Sequence, residues 1–263
     1  MLEQIFTLTF FTAFLAATVG MAVPLIYATL GEVFLEKTGI LNIGLEGVML
    51  GGAFGSFAGA FYSNSLLVGF FCGMLGGCLV SVIHGFLCIK LFQDQSVSGI
   101  ALNIFMLGVT SFGYKLMSAG ESYQQIETLK RIRIPVLSKI PLIGDAFFNQ
   151  DIMTYLVFVL VILASVFYRK TSSGLAFSSI GENHQSADAA GISVYGHQWV
   201  AGAAFVFGGA NALQIRLQAM GVPLPTQALA MLPYVITLLT LLLSIGKSNQ
   251  PEKLGKPYIR GSR

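Results

Sequence analysis

Two ionisable side chains, Glu46 and His84, fall inside long apolar runs of this sequence. They are the residues with which the chain could handle a charge or a proton away from water. Glu46 stands near the start of the stretch GILNIGLEGVMLGGAFGSFAGA (39–60), one turn after Asn42. A carboxylate near a helix start sits well against the positive end of the helix dipole. That favours a buried helix-start anchor, and the same place would also suit direct contact with a polar permeant. Asn42, Glu46 and Asn103 are the candidate substrate-path residues. His84 could relay a proton, or sit neutral and hydrogen-bonded within the packing. Cys72, Cys78 and Cys88 share one apolar segment without the spacing of a disulfide framework or a metal site, so they read as small hydrophobes. No metal set is expected. His84, His184 and His197 are not spaced as a catalytic cluster, which leaves no enzyme chemistry to propose.

The element that must position Glu46 is a helix with a smooth side. Gly47, Gly51, Gly55 and Gly59 recur every fourth residue and form one stripe where another backbone can approach closely. The next apolar run repeats the pattern with Gly69, Gly73, Gly77, Ser81 and Gly85. In water so much glycine would weaken a helix. In lipid, where unpaired backbone groups are not tolerated, the helix is held and the stripe becomes a packing face.

Composition agrees with lipid. Over 263 residues the hydrophobic share is 54% and the charged share 10%, with a mean hydropathy of +0.74. No water-soluble domain of this length could carry that on its surface. The class is all-α, a polytopic transmembrane helical bundle of about seven apolar segments, because no alternating strand pattern of a barrel is present. The net charge of +3 is scattered through loops and the tail, which reports orientation rather than nucleic-acid binding. Glu3 and the lack of Lys or Arg before the first apolar run argue against a cleavable signal peptide.

Residues 1–263 read as one transmembrane domain. Its apolar segments fall at 5–30, 45–61, 66–89, 99–117, 152–168, 199–213 and 228–245. Glu32, Glu36, Lys37 and Thr38 make the first connector, and residues 119–151 form an ordered loop outside the bilayer core. Residues 169–198 are polar with helical character. Glycines there bracket the small-residue block Ser186-Ala187-Asp188-Ala189-Ala190, which suits a helix over 185–190 that docks on another protein. The tail, 247–263, is basic through Lys247, Lys253, Lys256, Arg260 and Arg263. The positive-inside tendency places it in the cytoplasm. Counting back through the spans, 169–198 is then cytoplasmic too and the N-terminus outside.

Three stretches together are specific: TGILNIGLEGVMLGGAF (38–54), GLAFSSIGENHQSADAAGISV (174–194) and ANALQIRLQ with VPLPTQALAMLPYVITLL (210–239). As a set they resemble the permease subunits of bacterial ABC importers for nucleosides, within the larger permease family that also serves branched-chain amino acids and ribose. The resemblance implies a coupling loop with the pattern G-E-N then A-A-G, which falls on Gly181, Glu182, Asn183, Ala187, Ala189, Ala190 and Gly191. It further implies a cytoplasmic ATPase, a second permease subunit, an extracytoplasmic solute-binding protein and a small-molecule solute, in a bacterial cell membrane. The sequence has no G-x-x-x-x-G-K-[ST] loop, so ATP and Mg are expected on the ATPase, with no cofactor in this chain. A sugar or branched-chain amino acid permease is the alternative inside the family. A secondary transporter or channel would favour mid-span ionisable residues and inverted repeats, and the sequence offers only Glu46 and His84. One departure stands out. After Gln198 the family pattern expects about two further membrane segments before Ala210, and here Trp199 runs almost directly into Ala210-Asn211. That shortening predicts a gap in the translocation path and impaired transport.

Overall fold

In the computed structural model, residues 8–118, 130–141, 143–204 and 251–258 are described. The apolar segment at 228–245, most of 199–213, and the tail residues Lys247, Arg260 and Arg263 lie outside them. Among the described residues the chain is a bundle of helices. Helix α1, Leu8–Glu36, contains Pro24, which is fully buried. It runs past the boundary expected near residue 30 and absorbs Glu32 and Glu36, which the sequence reading places in a connector. The reason is packing: Leu35 is buried and Phe34 is packed against the main core. The end of such a helix gains more from that burial than its two acids lose.

Helices α2, Leu45–Ser63, and α3, Leu66–Gly85, form an antiparallel pair. Asn64 turns the chain between them at φ 51°, a left-handed conformation that asparagine tolerates. A π-helical turn, Phe86–Lys90, ends α3, and α4, Gln95–Ser118, follows. The loop after α4 folds as a two-residue ribbon, β1 (Ile132–Arg133) against β2 (Asn149–Gln150), enclosing a 3-10 turn at Leu137–Lys139 and α5, Gly144–Phe148. It rests on the first half of α1, where the Gln150 amide donates to the Ala16 carbonyl at 3.4 Å.

Helix α6, Ile152–Lys170, starts at Asp151, whose carboxylate accepts the Thr154 N–H at 3.0 Å. The Tyr27 hydroxyl ties α6 to α1 by donating to the Met153 carbonyl at 2.8 Å. The chain then reverses sharply into α7, Ser172–Glu182, continues as α8, His184–Ala189, and enters α9, Val194–Ala204. The main core gathers Leu35, Ile40, Val48, Val80, Ile89, Leu102, Met106, Phe177 and Ala201, so α7 and α9 are built into the bundle rather than appended to it.

Four of the described helical stretches are long and apolar enough to cross a membrane: Phe11–Glu36, Leu66–Lys90, Gln95–Met117 and Ile152–Lys170. Helix α2 is of comparable length, but its five glycines and Glu46 lower its hydropathy. Large apolar side chains, among them Leu67, Phe71, Leu75, Leu79, Ile104, Phe105, Phe112 and Ile162, face outward. In lipid that is the satisfied arrangement.

Candidate functional site

The two glycine-bearing helices meet back to back. A Cβ built on Gly51 would lie 2.6 Å from Val80 Cγ2, one on Gly55 2.5 Å from the Cys72 carbonyl oxygen, and one on Gly59 2.6 Å from Cys72 Cβ. From the other side, Gly69, Gly73 and Gly76 face Ser56, Ala60, Gly51 and Gly52. Gly73 and Gly77 are both buried. Gly76, half-buried, adds a further contact beside the buried stripe of Gly69, Gly73 and Gly77. Gly47 belongs to another neighbour, since its Cβ would meet Asn103 and Leu102 of α4 at 3.0 Å.

The start of α2 is held by its neighbours. Gly44 at the N-cap brings no side chain, so the free N–H groups of this approach need outside acceptors. Gln95 Oε1 accepts from Leu41 N at 2.6 Å, Glu32 Oε1 from Asn42 N at 3.0 Å, and Asn103 Oδ1 from Gly47 N at 2.6 Å. Asn103 Nδ2 then donates to the Ile43 carbonyl at 2.9 Å. Asn103 is thus occupied with backbone, and Asn42 is buried with its Oδ1 unpartnered among the described residues. Glu46 does stand in the first turn of α2, but its side chain is exposed, so it is not the buried anchor that the sequence suggests. Glu32, which the sequence reading leaves in a connector, is the carboxylate bound at the α2 start. Its signal was available: an acid ten residues before Asn42, at the end of a helix too apolar to stop where it was expected to. His84 is buried, with Cys88 Sγ 3.6 Å from its Nε2 one turn on, a packing arrangement.

At the same end of the bundle lies the polar segment. Its expected short helix is α8, one residue displaced, and it is preceded by a longer helix, α7, that the loop reading did not resolve. Thr171 makes the reversal from α6. Its hydroxyl donates to the Phe167 carbonyl at 2.6 Å and accepts the Gly174 N–H at 3.0 Å, joining the end of one helix to the start of the next. Gly174 leaves room there, for its Cβ would lie 2.7 Å from Tyr168 Cα. Asn183 breaks α7 from α8 and caps the latter, accepting from Gln185 N at 3.1 Å and Ser186 N at 3.0 Å. Gly191, at φ 83°, ends the unit.

The seven residues of the coupling pattern divide. Glu182, Asn183, Ala189, Ala190 and Gly191 are exposed and face away from the bundle, whereas Gly181 and Ala187 are buried. A Cβ on Gly181 would lie 2.7 Å from the Lys37 carbonyl oxygen, so Gly181 serves an internal contact. Behind the exposed face, Phe177 packs edge-on to Phe34 at 6.1 Å and to Phe167 at 5.7 Å. The Thr38 carbonyl receives His184 Nε2 at 3.3 Å and Gln198 Nε2 at 3.2 Å. Burial holds the His184 imidazole below its ordinary pKa, and Lys253 acts in the same direction against the bond to Thr38. The neutral ring then carries its proton on Nε2, the atom facing a carbonyl. The turn between α1 and α2, the π-helical turn, the first residue of α4, α7 to α9 and residues 251–258 all share this end. The 130–151 ribbon lies at the other.

Comparison with known proteins gives these elements a context. Residues 14–246 match the family described as the permease component of the branched-chain amino acid transport system. The guanosine ABC transporter permease protein NupQ of Bacillus subtilis is 31% identical over 307 positions, covering 94% of this chain and 96% of that protein. The nucleoside ABC transporter permease protein NupC of Lactococcus lactis is 32% identical over 299 positions, covering 90% and 93%. A putative glucose ABC transporter permease protein, TsgC13 of Haloferax volcanii, is 32% identical over 198 positions, covering 74% and 59%. The NupQ alignment is longer than the 263 residues of this chain, so at least 44 of its positions have no counterpart here. No solved structure matches. A bundle of apolar helices, a match over most of the length and relatives that are permease subunits lead to one conclusion: the chain belongs to the permease-component family of branched-chain amino acid transport systems.

Proposed function

We propose that this chain is the permease subunit of an ATP-binding-cassette importer for nucleosides, in a bacterial cell membrane. The observation that carries the reading is the pair α7–α8, which is seated on the bundle by Phe177 and His184 and offers Glu182, Asn183, Ala189 and Ala190 outward. A short helical unit fixed from behind and exposed in front is suited to transmit force from a docked ATPase. With NupQ and NupC matched over nearly their whole length and the glucose relative over 59% of its own, the nucleoside class is favoured over sugars. ATP and Mg then belong to the separate ATPase. The other partners are a second permease subunit and an extracytoplasmic solute-binding protein. Lys37, Lys90, Arg169, Lys170, Lys253 and Lys256 lie at the α7–α8 end and Lys130, Arg131, Arg133 and Lys139 at the other; with the acids of the latter loop offsetting its bases, the balance supports a cytoplasmic α7–α8 end.

The positions that NupQ has and this chain lacks fall, in our reading, after Gln198. Val200 is exposed there, and among the described residues a Cβ on Gly202 would meet nothing within 4 Å, in keeping with a helix face whose neighbour is absent. The test is uptake of labelled guanosine and of labelled glucose by cells supplying the chain with its ATPase, binding protein and partner permease, beside a version with the absent segments restored. We expect guanosine uptake from the restored form and little or none from the short one. Glucose uptake in its place would overturn the substrate class, and equal rates from both forms would overturn the account of the gap.

A further inference from the structure

We infer that residues 251–258 are a positioning strap that seats the coupling helices on the α1–α2 turn, a role that rests on the docking reading above and extends it to a segment that reading uses only for its charge. Residues 251–258 lie far along the chain from Gly39, Gly181 and Tyr195, to which they are hydrogen-bonded. The Lys253 N–H donates to the Gly181 carbonyl at 2.9 Å, at the end of α7, and the Gly255 N–H donates to the Gly39 carbonyl at 3.0 Å, in the α1–α2 turn. Both Gly39 and Gly255 are in the left-handed region, at φ 83° and 74°. This lets the two strands of chain cross closely: a Cβ on Gly39 would lie 3.3 Å from the Lys253 carbonyl oxygen and 2.6 Å from His184 Nε2. The strap ends on Tyr258, which is 7% exposed. Its carbonyl accepts the Tyr195 hydroxyl at 3.0 Å, and its ring lies 5.5 Å from the His184 ring and 5.3 Å from that of Tyr195. Ile180, Ala187, Val194 and Tyr258 form a small core of their own.

The arrangement has a mechanical meaning. The exposed face of α7–α8 can pass a push to the bundle only if its inner face does not yield. Phe177 anchors the first half of α7, and the end of α7 and all of α8 lean on Thr38, Gly39 and the strap. Without residues 251–258, Ile180 and Ala187 would lose the Tyr258 wall and Gly181 would lose its hydrogen bond, while the glycine contact between α2 and α3 would be untouched.

The experiment compares the intact chain with one ending at Gln250, both in lipid nanodiscs, by amide hydrogen exchange and by retention of the partner ATPase. We expect exchange across residues 178–190 to quicken at least about tenfold in the shortened chain, with α2 and α3 unchanged and less ATPase retained. Tyr195→Phe, which removes one hydrogen bond and keeps the ring, should show the same change in smaller measure in a fully folded protein. Unchanged exchange across 178–190 in both variants would overturn the strap. So would a general loss of protection that includes α2 and α3, because the segment would then be a staple for the whole fold. Failure of the intact chain to retain the ATPase would overturn the docking reading instead, and the exchange comparison would still decide the strap.

Discussion

Asn103 on α4 holds the first turn of α2 from both sides, its Oδ1 2.6 Å from the Gly47 N–H and its Nδ2 2.9 Å from the Ile43 carbonyl. The Gly47 N–H is buried and would otherwise be left without a partner at the helix start. Asn103→Leu should therefore destabilise the protein by about 1–3 kcal/mol, the cost of an unsatisfied buried group. Asn103→Asp should cost at least as much, because it keeps the acceptor for the Gly47 N–H but turns a carboxylate oxygen onto the Ile43 carbonyl. Thermal unfolding in detergent measures both, and a neutral Asn103→Leu would return Asn103 to the role of a substrate-path residue.

Gly55 and Phe57 lie two residues apart on α2, with opposite demands on space. A Cβ on Gly55 would meet the Cys72 carbonyl oxygen at 2.5 Å, whereas the half-buried Phe57 ring rests beside Phe61 and Tyr114, with centroids 5.8 and 5.5 Å away. Gly55→Leu should separate α2 from α3 and cost about 1–3 kcal/mol or more by overpacking. Phe57→Leu should cost under about 1.5 kcal/mol. Yield of folded protein after extraction from the membrane would rank them, and equal yields would show that the close approach is incidental.

Ala190 is exposed at the end of α8 and Gly181 is buried against Lys37. The two should fail differently. Ala190→Asp should leave the bundle intact and lower ATPase retention and coupled uptake at least tenfold, because it sets a charge on the outer face. Gly181→Arg should also lower the melting temperature, because it forces the end of α7 off the α1–α2 turn. Identical melting curves for the two variants would contradict the inward placement of Gly181.

Burial depresses the His184 pKa, so the folded chain favours the neutral ring and unfolding takes up a proton in acid. The contribution is fully present above the ordinary histidine pKa of about 6.5 and is lost as pH falls through the lower folded value. Corrected for the intrinsic slowing of exchange in acid, protection of α8 should fall as the pH drops below about 6.5, and His184→Gln should flatten that dependence. An unchanged profile in the variant would remove His184 as its source.

Much of the architecture was legible along the chain because lipid imposes its demand segment by segment. Apolar length marks α1, α3, α4 and α6 without reference to anything else, and the four-residue glycine rhythm announces that α2 and α3 must touch closely. The α8 helix was visible for the same reason, as a local block of small residues between glycines. What the sequence could not decide depends on partners distant in the chain. Glu46, the obvious carboxylate, is exposed, and Glu32 took the place beside Asn42, because the extension of α1 is won by the burial of Leu35 and Phe34 in a core that other helices complete. Asn103 reads as a polar residue in a membrane span until α2 is laid beside it. Gly181 reads as part of an outward-facing motif until residues 251–258 are seen to cover it. Local pattern specifies which segments become helices and which faces are smooth, since propensity and hydropathy act within a few turns. Which polar groups are spent on holding the fold, and which stay free to act, was settled only when the tertiary structure brought residues 38, 103, 184 and 258 to their partners.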